Sequence, residues 1–275
     1  MRTRHTFLTV LIFIIVLTMQ ACSDDSTSAG PDGDPPNLPS NIAPVVIDTQ
    51  YFESNNIPND AEHSNYKSVE GMAIFGNALF QADATVGLVN SFLSLAPMLN
   101  IQPEFDNGSW TWNFNVTGFF KDSGFFENEV VETIIQIIAT PTAGGVEWVV
   151  QYTGNFLDTR VENFRFITGL TSTDGSNGEW RFFDPDGGNT PAAVYSWNIE
   201  SESVYTASID INSYADFSNM LITYEREGAE NWLSAEPQNG QFSRVYWNTE
   251  THSGWYEDFQ TDRICYTNFV NTSCS

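Results

Sequence analysis

The chain has 275 residues, with 35 acidic against 10 basic side chains and a formal net charge of −25. A field of that sign repels nucleic acid and anionic membrane surfaces, because phosphate binding needs clustered Lys and Arg. Nucleic acid is excluded as a partner on this ground; the acidity reads as solubility in salt, where screening removes self-repulsion, with an affinity for cations as the alternative.

Arg2 and Arg4 open the chain, Phe7 to Met19 is an almost unbroken apolar run, and Ala21 stands just before Cys22. The run falls short of the roughly 20 apolar residues that a comfortable membrane span requires. Residues 1–21 therefore read as an export signal and not as a membrane anchor. "LTMQAC" resembles the lipobox of bacterial lipoproteins, which implies cleavage before Cys22 and diacylglycerol on its sulfur. The residues agree, since a thiol beside "SDDSTSAGPDGDPP" has neither a core to enter nor a nearby partner. By the same likeness the protein is held to the outer membrane through Cys22, with periplasmic and cell-surface sides both open; two or three acyl chains anchor stably where one does not. The two aspartates after Cys22 are similar to the surface-export signal of some Gram-negative lipoproteins.

With Cys22 acylated, Cys265 and Cys274 remain, and an even remainder in an exported chain favours a disulfide. Closing so short a loop stabilises by about 2–3 kcal/mol on the chain-entropy view. Zinc is the rival use of these thiols. After cleavage only His63 and His252 could join them, and neither lies near a Cys-x-x-Cys pair, so no metal site is expected.

Residues 22–43 carry the anchor cysteine and then Ser, Asp, Gly and Pro without hydrophobic periodicity, and read as a disordered spacer. Fully extended, it reaches about 70 Å. Residues 44–275 read as one domain. Its first element is a long helix in which Met72, Phe75, Leu79, Ala82, Val86, Val89 and Leu93 recur at steps of three or four. Gly76 and Gly87 predict close packing or a bend, and Pro97 an end. The polar side carries Gln81, Asn77 and Asp83 where a membrane-lying helix would carry Lys and Arg, so a core helix is expected.

From about residue 108 the texture is strands and turns. "SWTWNFNV" sets Trp110, Trp112, Phe114 and Val116 on one face; "VEWVVQY" and "VYSWNI" repeat the alternation. Further runs are "VVETIIQIIAT", "VENFRFITGL", "GEWRFF", "VYTASIDI", "MLITYER", "FSRVYWN" and "HSGWYE", separated by turn signals such as "TAGG", "STDGSNG" and "DPDGGN". Period-two patterns without intervening helices predict an antiparallel meander. The fold class is α+β, mainly β: nine to ten strands curled into a half-barrel or barrel and covered by one N-terminal helix.

Catalytic signatures are lacking: there is no Gly-x-Ser-x-Gly elbow, phosphate-cradling loop or His-Glu-x-x-His, and the abundance of carboxylates singles out no pair. No catalytic residue, enzyme activity or cofactor is expected. "DPDGGN", Asp184 to Asn189, has calcium-loop spacing but lacks the later Glu, and a hairpin turn explains the same letters. "GSW" and "GEW", at Gly108–Trp110 and Gly178–Trp180, resemble the Gly-x-Trp of lipocalins; a turn glycine followed by a core Trp is the simpler reading. Order and strand texture are similar to the half-barrels of the LolA and LolB lipoprotein carriers.

The aromatic load of 21 Phe, 10 Tyr and 8 Trp carries the functional expectation. A wide cup encloses more volume than its side chains fill. Trp110, Trp112, Trp148, Trp180 and Trp197 are therefore candidates to contact a lipid or other apolar or amphiphilic ligand. The alternative is a surface structural or glycan-contacting module without a buried pocket, which would show these tryptophans exposed. Arg165, Arg181, Arg226 and Arg244 sit between apolar neighbours in strands; cross-strand pairing with Glu is the expectation, a positive spot for an anionic head group the alternative.

Overall fold

The computed structural model describes residues 34–38, 45, 47–82, 101–115, 117, 132–156, 159–212, 219–237 and 240–274. Cys22, the export signal, most of the spacer, and Val86, Gly87, Val89, Leu93 and Pro97 of the expected helix lie outside them. Among the described residues no helix is long and apolar enough to cross a membrane.

Among the described residues fourteen strands form one open sheet in unbroken sequence order, each antiparallel to the next. They are β1 Glu104–Asp106, β2 Ser109–Asn115, β3 Ile134–Thr142, β4 Gly145–Phe156, β5 Thr159–Thr171, β6 Asn177–Phe182 and β7 Ala193–Ser201. The second half is β8 Val204–Ile211, β9 Met220–Glu227, β10 Glu230–Pro237, β11 Ser243–Asn248, β12 Ser253–Asp258, β13 Ile264–Thr267 and β14 Val270–Thr272. Among the described residues two helices precede the sheet, α1 Gln50–Asn55 and α2 Ser64–Ala82. The mainly β meander is as expected, but the counts differ from nine to ten strands and one helix, and the sheet does not close into a barrel. Four strands are additional: β1, β13 and β14 are only three or four residues long, too short to carry a visible alternation, and β10 has eight residues whose apolar letters do not alternate.

Alternation does its work on one face. In β3 every second residue from Ile135 to Ala139 is buried, and one core cluster runs from Val45 in the N-terminal segment to Tyr266 in β13. Helix α2 packs chiefly on β10–β14, and Phe80 near its end reaches Tyr195 of β7, with ring centroids 6.1 Å apart. The helix turns a different face inward than its apolar spacing suggests. Tyr66, Val69, Ala73, Gly76 and Phe80 are buried, whereas Phe75 is exposed and Met72 only half-buried. Two small residues in that stripe let the helix axis approach the sheet: a Cβ on Gly76 would lie 2.4 Å from Cδ2 of Leu233. Close packing at Gly76 was the expectation, and the stripe that needs it is the small-residue one.

The start of α2 is made by the far end of the chain. Oδ1 of Asn271 accepts from the Asn65 backbone N–H at 2.9 Å, and Nδ2 of Asn271 donates to the Ala61 carbonyl at 2.8 Å. Asn65 in turn donates to the Cys265 carbonyl at 2.7 Å. Cys265 and Cys274 form the disulfide that closes this terminal hairpin. Its turn holds Phe269 at φ 69°, a left-handed conformation uncommon for a bulky residue. Packing against Tyr66 and His252, at centroid distances of 5.3 and 4.7 Å, keeps it there.

Glycines inside strands make room for rings. A Cβ on Gly169 would lie 2.0 Å from Trp180, on Gly178 2.4 Å from Trp197, and on Gly254 2.7 Å from Tyr266. Gly108 is a turn residue at φ 83°, as the Gly-x-Trp reading has it, but Gly178 lies within β6 and its function is clearance. Gly178→Val should therefore destabilise the protein by about 1–3 kcal/mol through overpacking. Gly71→Ala, on an open helix position with nothing within 4 Å, should stabilise it by about 0.5–1 kcal/mol. Urea unfolding of the two variants measures both, and equal effects would refute the clearance argument.

Candidate functional site

Period two places the expected tryptophans on the inner face, and register brings four of them into a row. Trp112 of β2, Trp148 of β4, Trp180 of β6 and Trp197 of β7 follow one another with ring centroids 6.5, 6.4 and 6.4 Å apart. They are 4, 3, 2 and 6% exposed. The row is possible because small residues separate the rings: Ala139 of β3 is paired with Trp148, and Gly169 of β5 with both Trp148 and Trp180. Trp110 stands apart, half-buried at the edge, with its ring 4.8 Å from Phe105. None of the five is a freely exposed platform.

The row continues in kind across the second half of the sheet. Tyr195 stacks on Trp197 at 5.5 Å, and Tyr224 of β9 on Trp247 of β11 at 6.1 Å. Phe52 of α1 and Tyr66 of α2 close over Trp247 and Tyr266. Trp247 was not among the expected site residues. Its signal is the Tyr246–Trp247 doublet, whose two rings a strand must send to opposite faces.

The polar tips of these rings divide into two sets. Trp148 donates from Nε1 to Thr171 Oγ1 at 3.0 Å, Trp197 to the Gly175 carbonyl at 3.0 Å, and Tyr224 to Asn231 Oδ1 at 2.8 Å. The Nε1 groups of Trp110, Trp180 and Trp247 and the hydroxyl of Tyr66 are buried without a hydrogen-bond partner among the described residues. The Tyr195 and Tyr266 hydroxyls face the Val45 backbone and the Tyr51 hydroxyl without closing a bond of good geometry. Burial pushes Tyr51 up to about 12 and raises Tyr66, Tyr195, Tyr224 and Tyr266 further, so all remain neutral donors at physiological pH.

The strand arginines do not behave alike. Arg244 pairs across strands with Glu236 at 2.8 Å, as expected, and Arg181 pairs with Glu179 two residues away on its own strand at 2.6 Å. Arg165 is exposed on β5. Arg226 instead follows Tyr224 on the inner side of β9, next to the β9–β10 turn. Its guanidinium lies 5.8 Å from the Tyr205 ring, donates to the Tyr205 hydroxyl at 3.3 Å and the Gly228 carbonyl at 3.1 Å, and feels the charge of Asp48.

Among the described residues no group of three or more His, Cys, Asp or Glu converges on one point. In "DPDGGN", Oδ1 of Asp184 accepts from the Asp186 N–H at 2.8 Å within the β6–β7 connection, and Gly188 turns at φ 67°. Comparison with protein-family models, with curated proteins and with solved structures gives no match to this chain.

The two sets of donors predict opposite responses to loss of a hydroxyl. Tyr224→Phe strands the buried Asn231 amide and should destabilise the fold by about 1–3 kcal/mol. Tyr66→Phe removes a donor that has no acceptor and should be neutral or stabilising. Thermal denaturation of the pair, read against wild type, tests this; a comparable loss in both would show that Tyr66 has a bound partner in solution.

Proposed function

We propose that this protein is a lipid-anchored outer-membrane lipoprotein that binds an apolar or amphiphilic molecule against the aromatic inner face of its sheet. The observation that carries this reading is the set of buried aromatic donors without acceptors, Trp180 and Trp247 above all. A buried N–H left unpaired costs about 1–3 kcal/mol, so a guest offering ether, carbonyl or hydroxyl oxygens among apolar carbons gains affinity there. Trp112, Trp148, Trp180 and Trp197 supply the apolar contact, and Trp110 flanks them at the edge. Arg226, at the turn end of the same face, suits an anionic head group. No enzyme activity and no cofactor enter the reading. Anchoring is assigned to Cys22 on the lipobox-like "LTMQAC".

The purified protein, stripped of co-purifying lipid, should bind the fluorescent fatty acid parinaric acid saturably, with energy transfer from tryptophan as the signal. Trp197→Leu, which keeps the site apolar but removes the ring, should lower the affinity at unchanged circular dichroism. Arg226→Gln should weaken the acid about tenfold while leaving the corresponding alcohol unaffected, the loss expected for one charge-assisted contact. Absence of saturable binding to wild type would remove the carrier reading.

Anchoring has its own test. Cys22→Ala should abolish incorporation of labelled palmitate and release the protein from the membrane fraction. Retention of the label by the variant would disprove acylation at this residue.

A further inference from the structure

The outer face of the sheet carries a second aromatic row, unconnected with the first. Trp232 of β10, Tyr246 of β11 and Trp255 of β12 are direct cross-strand partners, and all three are half-exposed. Their centroids are 5.4 and 6.2 Å apart, so the rings form one strip across three strands. Their neighbours along each strand, Leu233, Val245, Trp247 and Gly254, are buried, which fixes the strip on the face away from the core.

The border of the strip is what identifies an occupant. On one side lie two arginine–carboxylate pairs, Arg244 with Glu236 at 2.8 Å and Arg263 with Glu257 at 2.8 Å. Arg263 also seats its guanidinium 4.1 Å from the centre of the Trp255 ring. On the other side Glu230 accepts from the Tyr246 hydroxyl at 3.3 Å. Apolar rings thus alternate with fixed donors and acceptors within the spacing of neighbouring strands. An alkyl chain would leave those charged groups facing hydrocarbon, at a desolvation cost. A phosphate-bearing partner is repelled by the net charge of −25.

We propose that this strip is a contact surface for a neutral glycan chain. A pyranose ring offers an apolar C–H face to an aromatic ring and hydroxyls at its rim. Those hydroxyls donate to Glu230 and accept from Arg244 and Arg263. The step between the rings is comparable with that between successive sugars, so two to three sugar units lie along Trp232, Tyr246 and Trp255. The flanking arginines are already neutralised by Glu236 and Glu257, so the partner needs no net charge. The surface is independent of the inner face and stands whether or not that face binds an amphiphile.

Affinity electrophoresis of the full-length purified protein, in native gels containing hydroxyethylcellulose, galactomannan or dextran, tests the assignment. The wild type should be retarded by at least one of them, and Trp232→Ala and Trp255→Ala should each cut affinity about tenfold. Glu230→Gln, which leaves every ring in place, should weaken binding about threefold without touching the fold. Trp180→Phe, on the opposite face, should retain it. No retardation by any of the three polymers would overturn the proposal. So would retardation unchanged in the Trp232→Ala/Trp255→Ala double variant. Binding of poly-lysine through the same residues without glycan binding would assign the strip to a cationic partner and overturn it equally.

Discussion

Large rings can share one face of a sheet only where an adjacent strand position is nearly empty. Strands lie about 4.8 Å apart, so a tryptophan standing on one strand overlaps its neighbour. Gly169, Gly178 and Gly254, with Ala139, provide that vacancy under Trp180, Trp197, Tyr266 and Trp148 respectively. The rest of the architecture follows from it. The rings can stack into rows; the rows bury one face of the sheet from β2 to β13 in a continuous core. Helix α2 repeats the device at its own interface, where Gly76 yields to Leu233.

Much of this was legible in residue alternation, and the failures have physical causes. The tryptophans of β2, β4, β6 and β7 read correctly as one face because β-branched or aromatic residues alternate with Ser, Thr and Asn around them. Strand β10, "ENWLSAEP", escaped because its buried members include Asn231 and Ala235 while its largest residue, Trp232, points outward. Hydrophobicity there runs opposite to burial. Helix α2 misled in a similar way. Two of its large apolar residues, Ile74 and Phe75, are exposed, and the small Ala73 and Gly76 face the sheet between Tyr66 and Phe80. Proximity was selected over hydrophobic area, a choice that spacing of apolar letters does not record. Arg226 likewise shares its sequence context with Arg181 and Arg244, and only strand parity separates the one turned inward.

The two faces of the C-terminal half differ in the company their rings keep. Inward rings touch other rings and leave several donors without acceptors. Outward rings sit beside ionised groups whose charges are balanced in pairs. The first environment suits a guest that brings oxygen atoms into an apolar space. The second suits a partner whose apolar and polar surfaces alternate at the same scale. One sheet thereby presents two chemically distinct surfaces without any insertion or added domain.

The cap that Asn271 places on α2 joins residues 206 positions apart in sequence. During synthesis the helix emerges long before the hairpin that anchors its first turn. Until that hairpin arrives and Cys265 is joined to Cys274, the inner rings near β13 lack their lid. The hairpin of β13 and β14 therefore fastens the helical cover: without Asn271 the sheet keeps its strand pairs but the first turn of α2 loses its cap. A helix start freed in this way would uncover the rings of Tyr66 and Tyr266, which pack on one another at 5.3 Å.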